Sequence, residues 1–174
     1  MRRLFAMFVM IGAVLTAPPA QARPSEVARL LPGAERVGAA RFQVLTLPVF
    51  DAELWAVAGD FSWDRSFALS LTYRRAISGE SLARRSVEEI ARRQGVSRAA
   101  LAPLEERFDA CFADVRAGDR ITGVSTGADT ARFFKNEREL CAIEWPGLRR
   151  AFFGVWLDGQ GARRSFSQQL RGDS

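Results

Sequence analysis

The sequence contains no histidine, and this absence excludes several kinds of catalytic site. Neither Ser-His nor Cys-His nucleophilic catalysis is available without an imidazole, and a zinc site loses its commonest nitrogen ligand. We therefore expect no metal and no cofactor. Any chemistry would have to use carboxylates, arginine, hydroxyl groups or bound water.

Lysine and tyrosine are nearly absent, with Lys135 and Tyr73 as the single representatives of their types. The positive charge is thus carried almost entirely by arginine, and the formal net charge is +5. These arginines are spread along the chain and alternate with glutamate and aspartate rather than forming a basic stretch. Binding to nucleic acid is therefore not expected.

Long apolar runs are also missing, apart from one close to the N-terminus. Arg2 and Arg3 precede the apolar run Leu4–Leu15, and Ala20–Ala22 fits a small-residue cleavage site. The run is short of the roughly 20 residues that span a bilayer. The pattern predicts a signal peptide over residues 1–22, a single domain over residues 23–174 and a periplasmic or secreted location. It predicts no stable membrane span after cleavage.

The chain has two cysteines, Cys111 and Cys141. An oxidising compartment permits a disulfide between them, which would close a loop of about thirty residues and stabilise the fold by about 3 kcal/mol. The alternative is two buried thiols that never meet. The sequence leaves both possibilities open.

The order of strand and helix patterns indicates an α+β fold. Phe67–Tyr73 alternates apolar and polar residues as a half-buried strand does, and Pro48 between two strand-like runs suggests a bulge or an edge. Lys135–Arg138 is typical of a hairpin turn, although glutamate at position 137 poorly suits a positive φ. The predicted strands are 41–47, 49–57, 67–73, 121–124, 130–134 and 141–145, and the predicted helices are 81–93, 97–112 and 148–157, with a short amphipathic tail to Leu170.

Several motifs together resemble the bacterial chalcone isomerase-like family, in particular an exported and non-catalytic branch. The resemblance covers about Gly33 to Gly172. It implies an open-faced antiparallel β-sandwich wrapped by helices, with an apolar cleft between sheet and helices. In this family some members close chalcones to flavanones, and non-catalytic relatives bind fatty acids. The motifs are Gly38–Phe42, Phe50–Trp55, Leu69–Arg75, Asp114–Arg120, Asn136 and Phe152–Leu157.

The resemblance implies a set of ligand-binding residues. An arginine on an early strand approaches the anionic oxygen or carboxylate of the ligand in this family, and Arg41 holds that position, with Arg36 as the alternative register. The other candidates are Tyr73, Phe152 and Trp156, which could line the cleft. The plainer interpretations are an exposed strand arginine for Arg41 and core packing for the three aromatic residues.

The chain also departs from the family's catalytic pattern. The 81–93 helix has no tyrosine, Phe50 replaces a tyrosine, and Val155 stands where a hydroxyl is expected. The polar set that an isomerase needs is therefore incomplete, and Arg41 is the single catalytic candidate. The leading hypothesis is a protein that binds a small apolar or fatty-acid-like molecule. The alternatives are an intramolecular lyase or isomerase of chalcone type, and a periplasmic interaction protein with a filled cleft.

Overall fold

The computed structural model describes residues 22–173. The predicted signal peptide lies outside these residues, except for Ala22. None of the helices formed by residues 22–173 combines the length and the hydropathy that crossing a membrane requires.

One six-stranded antiparallel sheet forms the centre of the fold, and its strands follow the chain order from one edge to the other. Every pair of neighbouring strands is joined antiparallel, so the sheet is a meander. This is the large antiparallel sheet expected from the sequence. The strands are β1 (Ala34–Val44), β2 (Leu47–Val57), β3 (Phe67–Tyr73), β4 (Arg120–Ser125), β5 (Thr130–Lys135) and β6 (Arg138–Glu144).

Helices cover the two faces of the sheet unequally. The larger apolar core lies between one face and α2 to α5, and a smaller core lies between the opposite face and α1. A 3₁₀ turn (Arg98–Leu101) precedes α3, and a π-helical turn (Arg149–Phe153) continues into α4. The helices are α1 (Ser25–Leu30), α2 (Gly79–Gln94), α3 (Ala102–Cys111), α4 (Gly154–Leu157) and α5 (Arg164–Arg171).

Residues at the ends of α2 and at the β5–β6 hairpin fix these elements locally. Ser78 Oγ accepts a hydrogen bond from the Ser81 amide at 3.2 Å, and Gly95 ends α2 with φ 68°. At the hairpin, Asn136 (φ 47°) and Glu137 (φ 74°) both adopt the positive φ of a two-residue turn. The hairpin is thus formed despite the unsuitable glutamate. The Asn136 side chain supports it by accepting a hydrogen bond from the Arg120 amide at 2.8 Å.

Two features at the start of the chain differ from the sequence prediction. The helix α1 was not predicted, and β1 begins at Ala34 rather than at residue 41. The first half of β1 contains small and charged residues, so its apolar alternation is weak. The bulge expected near Pro48 is present, as a register shift between Phe42 and Gln43 opposite that proline.

Cys111 and Cys141 form a disulfide, with Cα atoms 5.5 Å apart. The bond joins the last residue of α3 to the edge strand β6. It therefore holds the helical layer against one edge of the sheet.

Gly38 in β1 permits the close approach of α5. A Cβ atom at this position would lie 2.1 Å from the Gln169 carbonyl oxygen and 2.6 Å from that of Leu170.

We expect Gly38→Ala to displace α5 and to lower the free energy of unfolding by about 1–3 kcal/mol, as overpacking does. Urea unfolding measures the loss. Ala39→Ser, at the exposed neighbouring position, is the control and is expected to change stability by less than about 0.5 kcal/mol. Equal effects of the two substitutions would argue against this packing role.

Candidate ligand-binding cleft

A cleft of about 660 Å³ opens between the sheet and the helical layer. Phe50, Leu71 and Tyr73 of β2 and β3 form its floor, and α2 forms a wall. Trp156 of α4 and Phe152 of the preceding π-helical turn also line it. Its volume falls within the range of about 300–1,000 Å³ that is usual for small-molecule sites. The cleft is therefore large enough for a ligand.

Phe50 is at the centre of the aromatic group on the sheet side of the cleft. Its ring is stacked on Phe42, its partner across β1 and β2, with ring centroids 5.0 Å apart. The Trp156 ring meets it edge-on at 5.3 Å and the Tyr73 ring at 5.9 Å. Aromatic contacts of this kind form a continuous apolar wall.

Tyr73 contributes a polar group to this apolar wall. Burial raises the pKa of its hydroxyl, so the group stays protonated and keeps its proton to donate. None of the residues 22–173 forms a hydrogen bond with this hydroxyl. The hydroxyl oxygen is not among the fully buried polar atoms that lack a partner, so it is accessible from the cleft, where a ligand could accept its hydrogen bond.

Two arginines line the cleft without a partner. Arg75 lies two residues beyond the end of β3 and Arg85 lies on α2, and both are exposed. Within the described part of the chain neither forms a hydrogen bond or an ion pair. A third arginine of the cleft, Arg163, is instead bound to Glu89 at 2.7 Å. Arg75 and Arg85 are thus the cations available to an anionic ligand.

The glutamate of that pair is itself held by two arginines. Burial raises the pKa of Glu89, but hydrogen bonds from Arg163 and Arg92 outweigh this effect and keep the pKa below its usual range. Glu89 therefore stays ionised and its charge is compensated. It does not compete for Arg75 or Arg85.

Arg41, the predicted anion-binding residue, lies on the opposite face of the sheet. Phe42 faces the cleft, and its neighbour Arg41 points away from it because successive side chains in a strand alternate. Arg41 Nε donates a hydrogen bond to Asp51 Oδ1 at 2.6 Å, directly across the β1–β2 pair. The prediction that Arg41 faces the cleft is therefore wrong, because its side chain lies on the other face of the sheet.

The carboxylate of Asp51 also binds Arg74, with Nε to Oδ2 at 2.8 Å. Burial raises the pKa of Asp51, yet the hydrogen bonds from Arg41 and Arg74 lower it further than burial raises it. The same contact raises the pKa of Arg41. Arg41 is thus engaged in an ion pair in the absence of any ligand.

The alternative arginine, Arg36, also lies on this opposite face, where it pairs with Glu53 at 3.1 Å. A polar recess of about 440 Å³ is found there, lined in part by Glu53 and Arg120. Arg120 forms ion pairs with Glu26 at 3.5 Å and Glu137 at 3.7 Å. The charged side chains that line this recess are thus held in ion pairs, and its lining is poorly suited to an apolar ligand.

The structure thus brings Tyr73, Phe152 and Trp156 together in one cleft and leaves Arg41 outside it. The sequence did not single out Arg75 and Arg85, although both positions carried a signal. Arg75 is two residues beyond Tyr73 along the chain. Arg85 belongs to a helical stripe at i, i+3, i+4 and i+7 whose members all line the cleft, namely Leu82, Arg85, Ser86 and Glu89.

No family model and no curated protein matches the chain. Among solved structures, the chain is similar to the crystal structure of a fatty-acid-binding protein of Arabidopsis thaliana. The TM-score is 0.65 at 9% sequence identity, over 82% of this chain and 88% of that one. At this identity the likeness concerns the fold, and it confirms the predicted chalcone isomerase-like, α+β architecture.

Proposed function

We propose that this chain is an exported chalcone isomerase-like protein that binds a fatty-acid-like amphipathic molecule in the cleft between sheet and helices. The observation that carries the proposal is an aromatic cleft of about 660 Å³ that contains polar groups without partners. The Arabidopsis protein of similar fold, described as binding fatty acids, supports it. The signal-like N-terminus supports the export.

The apolar walls would bind the alkyl or aryl part of the ligand. Each buried methylene contributes about 0.8 kcal/mol, so affinity should rise roughly fourfold per methylene until the cleft is full. The volume sets the chain length at which this increase stops. This plateau distinguishes a bounded cleft from adsorption to an open apolar surface.

The polar groups would bind the head group. A carboxylate can accept hydrogen bonds from the guanidinium groups of Arg75 and Arg85, which are strong when the acceptor is charged. The Tyr73 hydroxyl is a further donor on the wall. Because both arginines are exposed, solvent weakens these contacts, and we expect each to contribute a few-fold in affinity.

A calorimetric titration with a homologous series of saturated fatty acids tests the proposal. We expect affinity to increase with chain length and then to reach a plateau, and we expect the methyl ester of the best acid to bind about tenfold more weakly. Equal affinity of acid and ester would refute the role of the arginines. The absence of binding by every acid would refute the proposed function.

Tyr73→Phe separates a ligand-binding hydroxyl from a structural one. We expect affinity for the acid to fall about three- to tenfold, because one hydrogen bond to the ligand is lost. Stability should change little, because the hydroxyl that is removed forms no hydrogen bond with the described residues. Titration and urea unfolding measure the two effects. A large loss of stability would show that the hydroxyl is bonded within the protein.

The cleft is less suited to isomerase chemistry, which needs several donors that converge on one reacting group. Val155 supplies no hydroxyl, and Ser86 Oγ already donates to the Leu82 carbonyl oxygen at 2.8 Å. Ser78 Oγ lies 2.9 Å from Ser81 Oγ, within hydrogen-bonding distance. We therefore propose binding without turnover. Closure of a chalcone by the purified protein, lost in Tyr73→Phe, would favour the isomerase instead.

A further inference from the structure

The tip of the β1–β2 hairpin, Val44–Leu47, is an exposed apolar surface. The exposed fractions are 53% for Val44, 93% for Leu45 and 59% for Leu47. Among the described residues, only Val57 and Val96 are other large hydrophobic side chains with comparable exposure, at 42% and 43%. Three of the five exposed hydrophobic side chains are thus concentrated in four consecutive residues.

The conformation of the tip exposes Leu45. Val44 pairs with Leu47, so Leu45 and Thr46 form the turn. Leu45 has φ 57°, a conformation in which turns normally use glycine or asparagine. A branched apolar residue at this position costs strain and exposes apolar surface to water. Neither cost is recovered within the described protein.

The tip also borders the mouth of the cleft. Val44 lines the cleft together with Val49 and Phe42, which belong to the same hairpin. The Arg74 amide donates to the Val49 carbonyl oxygen at 2.8 Å, so the end of β3 lies beside this hairpin. The tip and the unpaired Arg75 are therefore at the same end of the sheet.

Three arginines and one aspartate lie on the strand ends next to the tip. Arg41, Arg74 and Arg75 provide three cations, and Asp51, which binds the first two, provides one anion. These four residues leave a net charge of +2. An apolar tip next to a basic patch is the combination that binds an anionic lipid surface, by burial of the apolar side chains and by attraction of the arginines.

We propose that the β1–β2 tip docks on an anionic phospholipid surface with Leu45 and Leu47 inserted between the lipid head groups. This orientation places the cleft mouth against the lipid, so that an amphipathic molecule could enter without crossing water. The entry of an amphipathic molecule from the lipid into the cleft depends on the function proposed above, whereas the docking on lipid does not.

Co-sedimentation with vesicles tests the docking. The protein is purified from expressing cells and its N-terminus is identified by mass spectrometry, so that any retained N-terminal segment is common to all variants. The vesicles contain phosphatidylglycerol and phosphatidylcholine in equal parts, or phosphatidylcholine alone. The test variant is Leu45→Gln with Leu47→Gln. The matched control is Val57→Gln with Val96→Gln, which removes two exposed hydrophobic side chains elsewhere.

We expect the original chain to bind the anionic vesicles, and the tip variant to bind roughly tenfold or more weakly. The control variant should stay within about twofold, and added salt should weaken binding to the anionic vesicles. The inference is overturned if the tip variant binds as well as the original chain, if both variants lose binding equally, or if the original chain does not bind vesicles.

The fatty-acid titration distinguishes failure of this inference from failure of the proposed function. The tip variant should bind fatty acid in solution with unchanged affinity, since neither leucine lines the cleft. Unchanged fatty-acid binding without vesicle binding refutes the docking alone. Vesicle binding without any fatty-acid binding refutes the proposed function and leaves the lipid contact standing.

Discussion

Leu82→Trp is expected to lower the affinity for a fatty acid at least about a hundredfold. Leu82 lies on the side of α2 that lines the cleft and is half-buried, so a larger side chain extends into the space that the alkyl chain would occupy. A tryptophan is compatible with a helix, and the cleft has room for it. The substitution should therefore block binding while the protein stays folded. Titration with the best-binding acid measures the effect.

The matched control is Gln94→Trp, at the last residue of the same helix. Gln94 is exposed and does not line the cleft. This variant gains the same side chain and should bind within about twofold of the original affinity. If Leu82→Trp binds as well as Gln94→Trp, the ligand does not occupy the cleft and the assignment of the site is wrong.

Removing the disulfide is expected to produce the largest loss of stability. The bond between Cys111 and Cys141 closes a loop with a sequence separation of 30 residues. A loop of this length predicts a loss of about 3–4 kcal/mol in the double variant Cys111→Ala with Cys141→Ala. The loss has a structural consequence as well, because the bond connects α3 to the edge strand β6. Urea unfolding measures the loss of stability, provided that the unfolding free energy depends on urea concentration with the same slope in both proteins.

Reduction of the original chain serves as the control for this double variant. The reduced protein and the variant should unfold at similar urea concentrations, both well below the oxidised protein. If reduction leaves the unfolding midpoint unchanged, the bond does not stabilise the fold. A double variant that is much less stable than the reduced protein would point to lost packing at Cys111, which is buried in the main core.

The strands and helices were predictable where a local pattern determines them. The alternation of Phe67–Tyr73 identified β3, and the helix predicted over 81–93 lies within α2, whose start is two residues earlier. The helix α1 was not predictable in this way, because it has six residues and is held by packing of Val27 and its neighbours on the sheet. Short helices depend on tertiary contacts rather than on propensity.

The lining of the candidate cleft was predictable from the sequence in its apolar part and not in its charged part. Tyr73, Phe152 and Trp156 line the cleft because large aromatic residues of a fold with one main core face that core. The placement of Arg41 depended on strand register, and a shift of one residue moves a side chain to the other face of the sheet. The alternation around Phe42 contained this information, since an arginine next to a core phenylalanine in a strand faces away from the core.

Native mass spectrometry of the protein as purified from cells tests the central claim, which is that the cleft holds an amphipathic molecule. The original chain should carry a bound small molecule that is released on denaturation, and the Leu82→Trp variant should lack it. A bare protein mass for the original chain, together with no thermal shift across a panel of fatty acids, would contradict the claim. The same bound mass on both chains would place the molecule elsewhere.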